Sequence, residues 1–237
     1  TGPFDNHKVS VGSDTLGTLT VHGHGGSNAA AAVDATAAGD LWDNTLGIST
    51  GNAGNSPKAG PGGDGLVQYT LPTLADGVAI NATYASAGEN NEGSGAIGLV
   101  YTGIEGLTVS LGSAEDNSSS TVTADYTTMK ASYAYGSITA AISSSEYDHT
   151  TAANDQEVKS WGLTYTVTDD ISVTYGVDTI ENNTDTADVE VDGISASYTS
   201  GGMTVTAKKI GGDNVDGSST GVNNNNEMFK LSASFAF

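Results

Sequence analysis

Residues Phe229–Phe237 read FKLSASFAF. In an extended strand Phe229, Leu231, Ala233, Phe235 and Phe237 fall on one face, and Lys230, Ser232, Ser234 and Ala236 on the other. Such a strand needs an apolar phase on one side and water on the other. The same period of two recurs along the chain. Val67, Tyr69 and Leu71 oppose Gln68 and Thr70; Val78, Ile80, Ala82 and Tyr84 oppose Asn81 and Thr83; Ile171, Val173, Tyr175 and Val177 oppose Ser172, Thr174 and Gly176. A two-sheet sandwich also alternates, but it must fill a core between its sheets. Only 37% of the 237 residues are hydrophobic, with 4 Phe and 2 Trp against 32 Gly, which spreads the apolar side chains too thinly to fill one. No run approaches the roughly 18 apolar residues of a membrane helix. A membrane barrel needs none, because its strands carry only alternation over about ten residues.

Short runs rich in Val, Ile, Thr and Tyr, bounded by Gly, Asn, Asp and Ser, predict thirteen strands. They fall at Lys8–Val11, Thr18–His22, Leu66–Leu71, Val78–Tyr84, Ile97–Thr102, Leu107–Leu111, Thr128–Tyr135, Ile138–Ser144, Ser160–Val167, Ile171–Asp178, Val189–Thr199, Met203–Lys208 and Phe229–Phe237. The connections Gly12–Gly17, Pro72–Gly77, Gly103–Gly106, Gly136–Ser137, Thr168–Asp170 and Ser200–Gly202 are short. Between them lie Gly23–Gly65, Ala85–Ala96, Gly112–Thr127, Ser145–Lys159, Thr179–Asp188 and Lys209–Met228, which are longer and loaded with Asp, Asn, Glu, Ser and Gly. In an antiparallel meander this puts short turns at one end of the sheet and long loops at the other, the asymmetry of outer-membrane barrels. The expected fold class is therefore all-β, a transmembrane antiparallel β-barrel forming a single domain over 1–237.

Aromatic placement gives a separate test. If the last strand and every second strand before it run towards the short-turn end, their lower ends carry Tyr69, Leu71, Tyr101, Tyr133, Tyr135, Tyr165, Tyr198, Phe235 and Phe237. Trp161, Phe229, Met129 and Tyr84 sit towards the opposite rim. Two belts suit a barrel in a bilayer, although tyrosine is also common in strands generally. One strand fits poorly: Val189–Thr199 puts Glu190 and Asp192 on the apolar side, unless Gly193 is a bulge or the upper part clears the membrane.

Charge narrows the partners. The chain carries 7 basic residues, all Lys, and 28 acidic ones, a formal net charge of −21. Such a surface repels nucleic acid and gathers cations, so no nucleic-acid partner is expected. There is no Cys and no signal peptide at Thr1, so an exported chain would be a mature or trimmed one.

The segment Gly23–Gly65 is far longer than the other connections. Its middle, SNAAAAVDATAAGDLWDNT, places Ser27 or Asn28 where a helix N-cap belongs and continues through helix formers to Gly39, which predicts a short helix. Its alanines, Leu41 and Trp42 suit a place packed inside a barrel better than a solvated outer tip.

With the strand rhythm, the hairpin VGSDTLGTLTVHG before the long loop, GLVQYTLPTLADGVAINATY after it and the terminal Phe, the chain resembles the general trimeric porins of Gram-negative bacteria, particularly the alphaproteobacterial kind. The resemblance implies a 16-stranded barrel in the cell outer membrane, a homotrimer surrounded by outer-membrane lipid, and a long loop after the fifth strand that folds inward to narrow the pore. Here the long loop follows the second predicted strand. On the resemblance, the first three strands are then absent from this chain, with about 13 present, unless a strand has been missed or invented.

Within that picture Gly23–Gly65 is the inserted constriction loop, and Asp34, Asp40 and Asp43 bring negative charge to the narrowest section. Lys8, His22, Lys130, Lys208 and Lys230 line the pore on the polar face of the strands. The family's facing wall is usually rich in Arg, and this chain has none. The acidic outer loops are expected to concentrate cations at the mouth, giving a mild cation preference that weakens with salt; simple hydration of the surface is the competing reading. His22 and His24 share a strand face and open a metal site only if further ligands exist, which four His and no Cys make a poor prospect. The stretch GGDNVDG offers Asp213 and Asp216 as calcium ligands without the spacing of a known calcium loop. Ser, His and Asp are present, but nothing groups them for catalysis, so no enzyme is expected. The expected function is an outer-membrane, water-filled channel for passive diffusion of small hydrophilic solutes and ions, with small solutes and cations as its partners and no cofactor unless the acidic loops hold Ca2+. The alternative is a secreted or surface-anchored β-rich structural protein, an adhesin or array subunit.

Overall fold

The computed structural model describes residues 6–33, 35–39, 41, 56–58, 65–86, 93–119, 122–215, 217–220 and 225–235. Among them thirteen strands form one sheet whose order is the order of the chain. They are β1 (His7–Ser13), β2 (Gly17–His24), β3 (Leu66–Thr70), β4 (Val78–Ala85), β5 (Ser94–Ile104), β6 (Leu107–Ser119), β7 (Val122–Tyr135), β8 (Ile138–His149), β9 (Gln156–Thr168), β10 (Ile171–Asn182), β11 (Val189–Ser200), β12 (Met203–Asp213) and β13 (Asn226–Phe235). Every predicted strand is present. The hairpin between β11 and β12 turns on Gly201 and Gly202, whose φ values of +58° and +82° suit a two-residue turn that a side chain would strain.

The strands extend further than predicted at the long-loop end. β6 runs to Ser119 and β7 starts at Val122, so nearly all of Gly112–Thr127, expected as a long loop, is strand. β8 reaches His149 and β9 begins at Gln156, with the short 3-10 turn Ala152–Asn154 between them. The strict alternation of short and long connections is thus broken between β6 and β7. Ala, Ser, Asn and Asp are weak strand formers alone, but pairing with an established neighbour carries them, as in Ala96↔Ala114 and Ile97↔Ser113.

The chain divides into two compact units. The first comprises Thr1–Ala35, Lys58–Ala131 and Ser145–Asp155. On one face of its strands Val9, Val11, Leu19, Val21, Tyr69, Tyr84, Ile97 and Leu111 are exposed. The opposite face carries hydroxyl and amide pairs, Ser10 with Thr20 at 2.9 Å and Thr70 donating to Asn81 Oδ1 at 2.7 Å. Ala30, Ala114 and Tyr126 form a small buried cluster, with Ala96 and Tyr147 packed against it.

The second unit comprises Thr36–Pro57, Ser132–Ser144 and Gln156–Phe237. Trp161, Leu163, Tyr165, Val167, Tyr175, Ile194, Tyr198, Phe229, Leu231 and Phe235 lie exposed on one face. Trp161 and Tyr175 meet edge to face with ring centres 5.5 Å apart. The other face is a ladder of cross-strand hydroxyl pairs, Thr164–Thr174, Ser197–Thr206 and Thr199–Thr204, each at 2.9 Å.

Towards the long-loop end of this unit the two faces exchange character. Val158, Ile180, Val191 and Ile210 continue the hydroxyl face by parity, yet they are buried, together with Val189, under Ala38, Leu41 and Val215. Their strand neighbours Glu157, Lys159, Glu181, Glu190, Asp192, Asp213 and Glu227 take the other face. The β10–β11 register runs without interruption from Ile180↔Val189 through Gly176↔Gly193 to Ile171↔Tyr198. Gly193 is therefore not a bulge. Glu190 and Asp192 keep the face that parity gives them, and it is the polarity of the face that changes beside them.

Among the described residues the predicted helix is not formed. Ala31 N–H donates to Asn28 Oδ1 at 2.6 Å, Ala32 N–H to Asn28 O at 3.2 Å and Val33 N–H to Ala30 O at 2.9 Å, a single turn capped by Asn28. Beyond it the backbone donors of Ala37 and Ala38 turn to side chains of the sheet instead. Those external acceptors outcompete the modest intrinsic preference of alanine for a short isolated helix.

Candidate functional site

The first part of the long loop lies on the hydroxyl face of β4, β5 and β6. Ala29 N–H donates to Thr83 Oγ1 at 2.9 Å, a buried bond. Gly98 and Gly112 are directly paired across β5 and β6. A Cβ on Gly98 would run into the carbonyl oxygen of Ala29, and one on Gly112 would stand 2.9 Å from Ala30 Cα. Two strand glycines, each a weakening choice in a sheet, leave room here for another backbone.

In the second unit the same device is repeated. Gly162, Gly176 and Gly193 form one row across β9, β10 and β11. Cβ atoms on them would stand 2.9 Å from Ala37 O, 2.5 Å from Ala38 Cβ and 2.7 Å from Leu41 Cδ2. Ser160 and Asp178, cross-strand partners two residues along their strands from Gly162 and Gly176, hold the segment down. Ser160 Oγ accepts from Ala37 N–H at 2.8 Å and Ala38 N–H at 2.9 Å, and donates to Asp178 Oδ1 at 2.5 Å. Asp178 Oδ2 accepts from Leu41 N–H at 3.1 Å. Asp178 is 0% exposed, and a carboxylate can be buried there because donors converge on it. Removing the acceptor at Ser160 would leave two backbone donors short, at about 1–3 kcal/mol each.

Ser56 and Lys58, later in the loop, are also tied down. Lys58 Nζ donates to Asn154 O and lies 5.3 Å over the Tyr147 ring. Burial lowers the Lys58 pKa, opposed by the charge of Asp155. In the second unit Gln156 Nε2 donates to Ser56 O at 3.1 Å and to Asn182 Oδ1 at 2.8 Å.

Of the residues singled out from the sequence, Lys208 and Lys230 are brought together as direct cross-strand partners. Parity places them with Ser195, Thr206 and Ser232 on the hydroxyl face. A cavity of about 30 Å³ beside Lys208 is lined by Ala38, Leu41, Thr174, Gly193, Ile194 and Ser195. Lys8 pairs with His22 across β1 and β2, and Lys130 continues the face of Tyr126 and Thr128 on β7. His22 is 9% exposed, with Nε2 3.2 Å from Gln68 Oε1 and no partner at Nδ1. Asp34, Asp40, Asp43 and Asp216 lie outside the described residues. Asp213 ends β12, opposite Glu190. Among the described residues no group of three or more His, Asp or Glu side chains is arranged to hold a metal ion.

Sequence reading missed Thr83, Ser160, Asp178 and the wall glycines. A signal was there: in ISVTYGVDTI a lone acid sits two residues after a glycine, on the face that otherwise carries hydroxyls. Without the register, nothing aligned that glycine with Gly162 and Gly193.

The chain resembles solved structures of OmpT, an outer membrane protein of Vibrio cholerae, at TM-score 0.66 and 20% identity over 98% of this chain and 79% of that one. It resembles Salmonella typhi OmpF at TM-score 0.64 and 13% identity over 96% and 77%, and the anion-selective porin of Comamonas acidovorans at TM-score 0.61 and 13% identity over 88% and 67%. At these identities the likeness establishes the fold alone, an antiparallel β-barrel. No curated protein matches by sequence. A family model described as Gram-negative porin matches residues 2–218, without narrowing the family to its alphaproteobacterial members. That match covers most of the chain, and the protein belongs to the Gram-negative porin family.

Proposed function

We propose that the protein forms a water-filled channel for passive diffusion of small hydrophilic solutes and ions, narrowed by the inward-folded loop Gly23–Gly65. The observation that carries this reading is the bonding of loop backbone to Thr83, Ser160 and Asp178 on the hydroxyl face, opposite the exposed aromatic and aliphatic side chains. A loop seated on that face narrows whatever space the face encloses, while the other face meets lipid.

In this reading Asp34, Asp40 and Asp43 carry negative charge into the constriction, and Lys8, His22, Lys130, Lys208 and Lys230 line the wall. The net charge of −21 favours cations at the mouth. The reaction is diffusion, with neither catalysis nor a cofactor. A homotrimer is the assembly we propose, by analogy with a Vibrio cholerae relative of known trimer form. Purified protein added to a planar bilayer tests the reading. Discrete conductance steps with a cation-positive reversal potential are expected; absence of steps overturns the channel, and anion selectivity overturns the charge assignment.

A further inference from the structure

We propose that Gly162, Gly176, Ser160 and Asp178 are the residues that set the bore of the channel, by fixing how deeply loop residues 36–39 and Leu41 are recessed into the wall. This rests on the channel reading above and adds to it the identity of the positioning residues.

Three observations converge. Aligned glycines at Gly162, Gly176 and Gly193 are costly to a sheet, because each forgoes a side chain that would pack and restrain the strand. Their use is visible in what a Cβ would meet: Ala37 O at 2.9 Å from Gly162 and Ala38 Cβ at 2.5 Å from Gly176. Ordinary carbon contacts lie at about 3.5–4.0 Å, so a methyl at Gly176 would push the segment off the wall by about 1 Å. At Gly193 the obstacle is the far end of the flexible Leu41 side chain, which can turn aside. Gly162 and Gly176 therefore set the depth, and Gly193 much less.

Space alone does not hold a segment in it. Ser160 and Asp178 supply the attachment, receiving three backbone donors from Ala37, Ala38 and Leu41 and joined to each other at 2.5 Å. The loop side contributes alanines at 37 and 38, the smallest side chains that still restrain the backbone. Recess and attachment act in opposite senses when lost. Filling the recess forces the segment into the open space of the channel, whereas removing the attachment lets it leave its fixed position. A merely stabilising role for these residues predicts lower stability with an unchanged bore.

Single-channel conductance of the full chain separates the two. Gly176→Ala is expected to lower conductance by about one third, from a displacement of about 1 Å across a narrow section. Ser160→Ala combined with Asp178→Ala is expected to raise and broaden the conductance levels and to speed entry of larger sugars into proteoliposomes. Gly95→Ala, whose added Cβ meets nothing within 4 Å, keeps the wild-type conductance.

Gly193→Ala provides a further arm, because its added Cβ meets first the far end of the Leu41 side chain and not the loop backbone. It is expected to lower conductance much less than Gly176→Ala. Equal losses at Gly193 and Gly176, or wild-type conductance in both Gly176→Ala and the Ser160→Ala, Asp178→Ala protein, overturns the proposal while leaving the channel intact. A wild-type protein without conductance steps would instead remove the channel reading itself.

Discussion

Lys208 on β12 stands directly across the sheet from Lys230 on β13, both on the face that carries the paired hydroxyls. Like charges placed opposite one another destabilise a strand pair by about 0.2–1 kcal/mol, in a chain with only seven basic residues to spend. Lys230→Gln is therefore expected to stabilise the barrel by a few tenths of a kcal/mol and to move the reversal potential towards stronger cation preference. An unchanged reversal potential would place both ammonium groups outside the ion path.

The two faces of β9 differ in what they tolerate. Leu163 lies exposed between Trp161 and Tyr165, and Thr166 belongs to the opposite face. Leu163→Lys is expected to cost about 2–4 kcal/mol of folding stability in a bilayer, the penalty for a lysine near the midplane, and Thr166→Lys close to none. Urea unfolding in lipid vesicles measures both. Equal costs would mean that the face of Trp161 does not meet hydrocarbon.

Cation preference that comes from the acidic loops should be screened. Between 0.1 M and 1 M salt the Debye length falls from about 10 Å to about 3 Å. The ratio of cation to anion permeability is expected to fall towards unity over that range. A ratio that holds at high salt would locate selectivity at close contacts inside the pore.

Lys58 gives a pH dependence of known sign. Its folded pKa lies below the ordinary 10.5 because burial disfavours the charged form. Between the lowered value and 10.5 the unfolded chain binds more protons than the folded one, so the contribution of Lys58 to stability rises with pH through that window and is flat on either side. The difference in unfolding free energy between wild type and Lys58→Met is expected to grow in favour of wild type over that window. A slope of the opposite sign would mean that the attraction of Asp155 outweighs burial.

How much of this was legible in the sequence depended on whether the information was local. Alternation such as Ile171, Val173, Tyr175 against Ser172, Thr174 is local, and it gave all thirteen strands and their faces. Strand length was not local: Ala114 and Ser113 are strand because Ala96 and Ile97 pair with them. The helix over Asn28–Gly39 failed for the same reason, since Ser160 is more than a hundred residues away from the donors it captures at Ala37 and Ala38. Glu190 and Asp192 looked like a misfit while the apolar face was assumed uniform along its length. The misfit marks where Leu41 and Ala38 cover Val158, Ile180 and Val191.

The account stands on which face meets water and which meets lipid. Single cysteines in this Cys-free chain, one set at Thr174, Ser195 and Thr206 and another at Leu163, Ile194 and Leu231, can be exposed in intact outer membranes to a small charged thiol reagent. Modification of the first set with protection of the second is the predicted result. Reagent reaching Leu163, Ile194 and Leu231 while Thr174, Ser195 and Thr206 stay unmodified would contradict it.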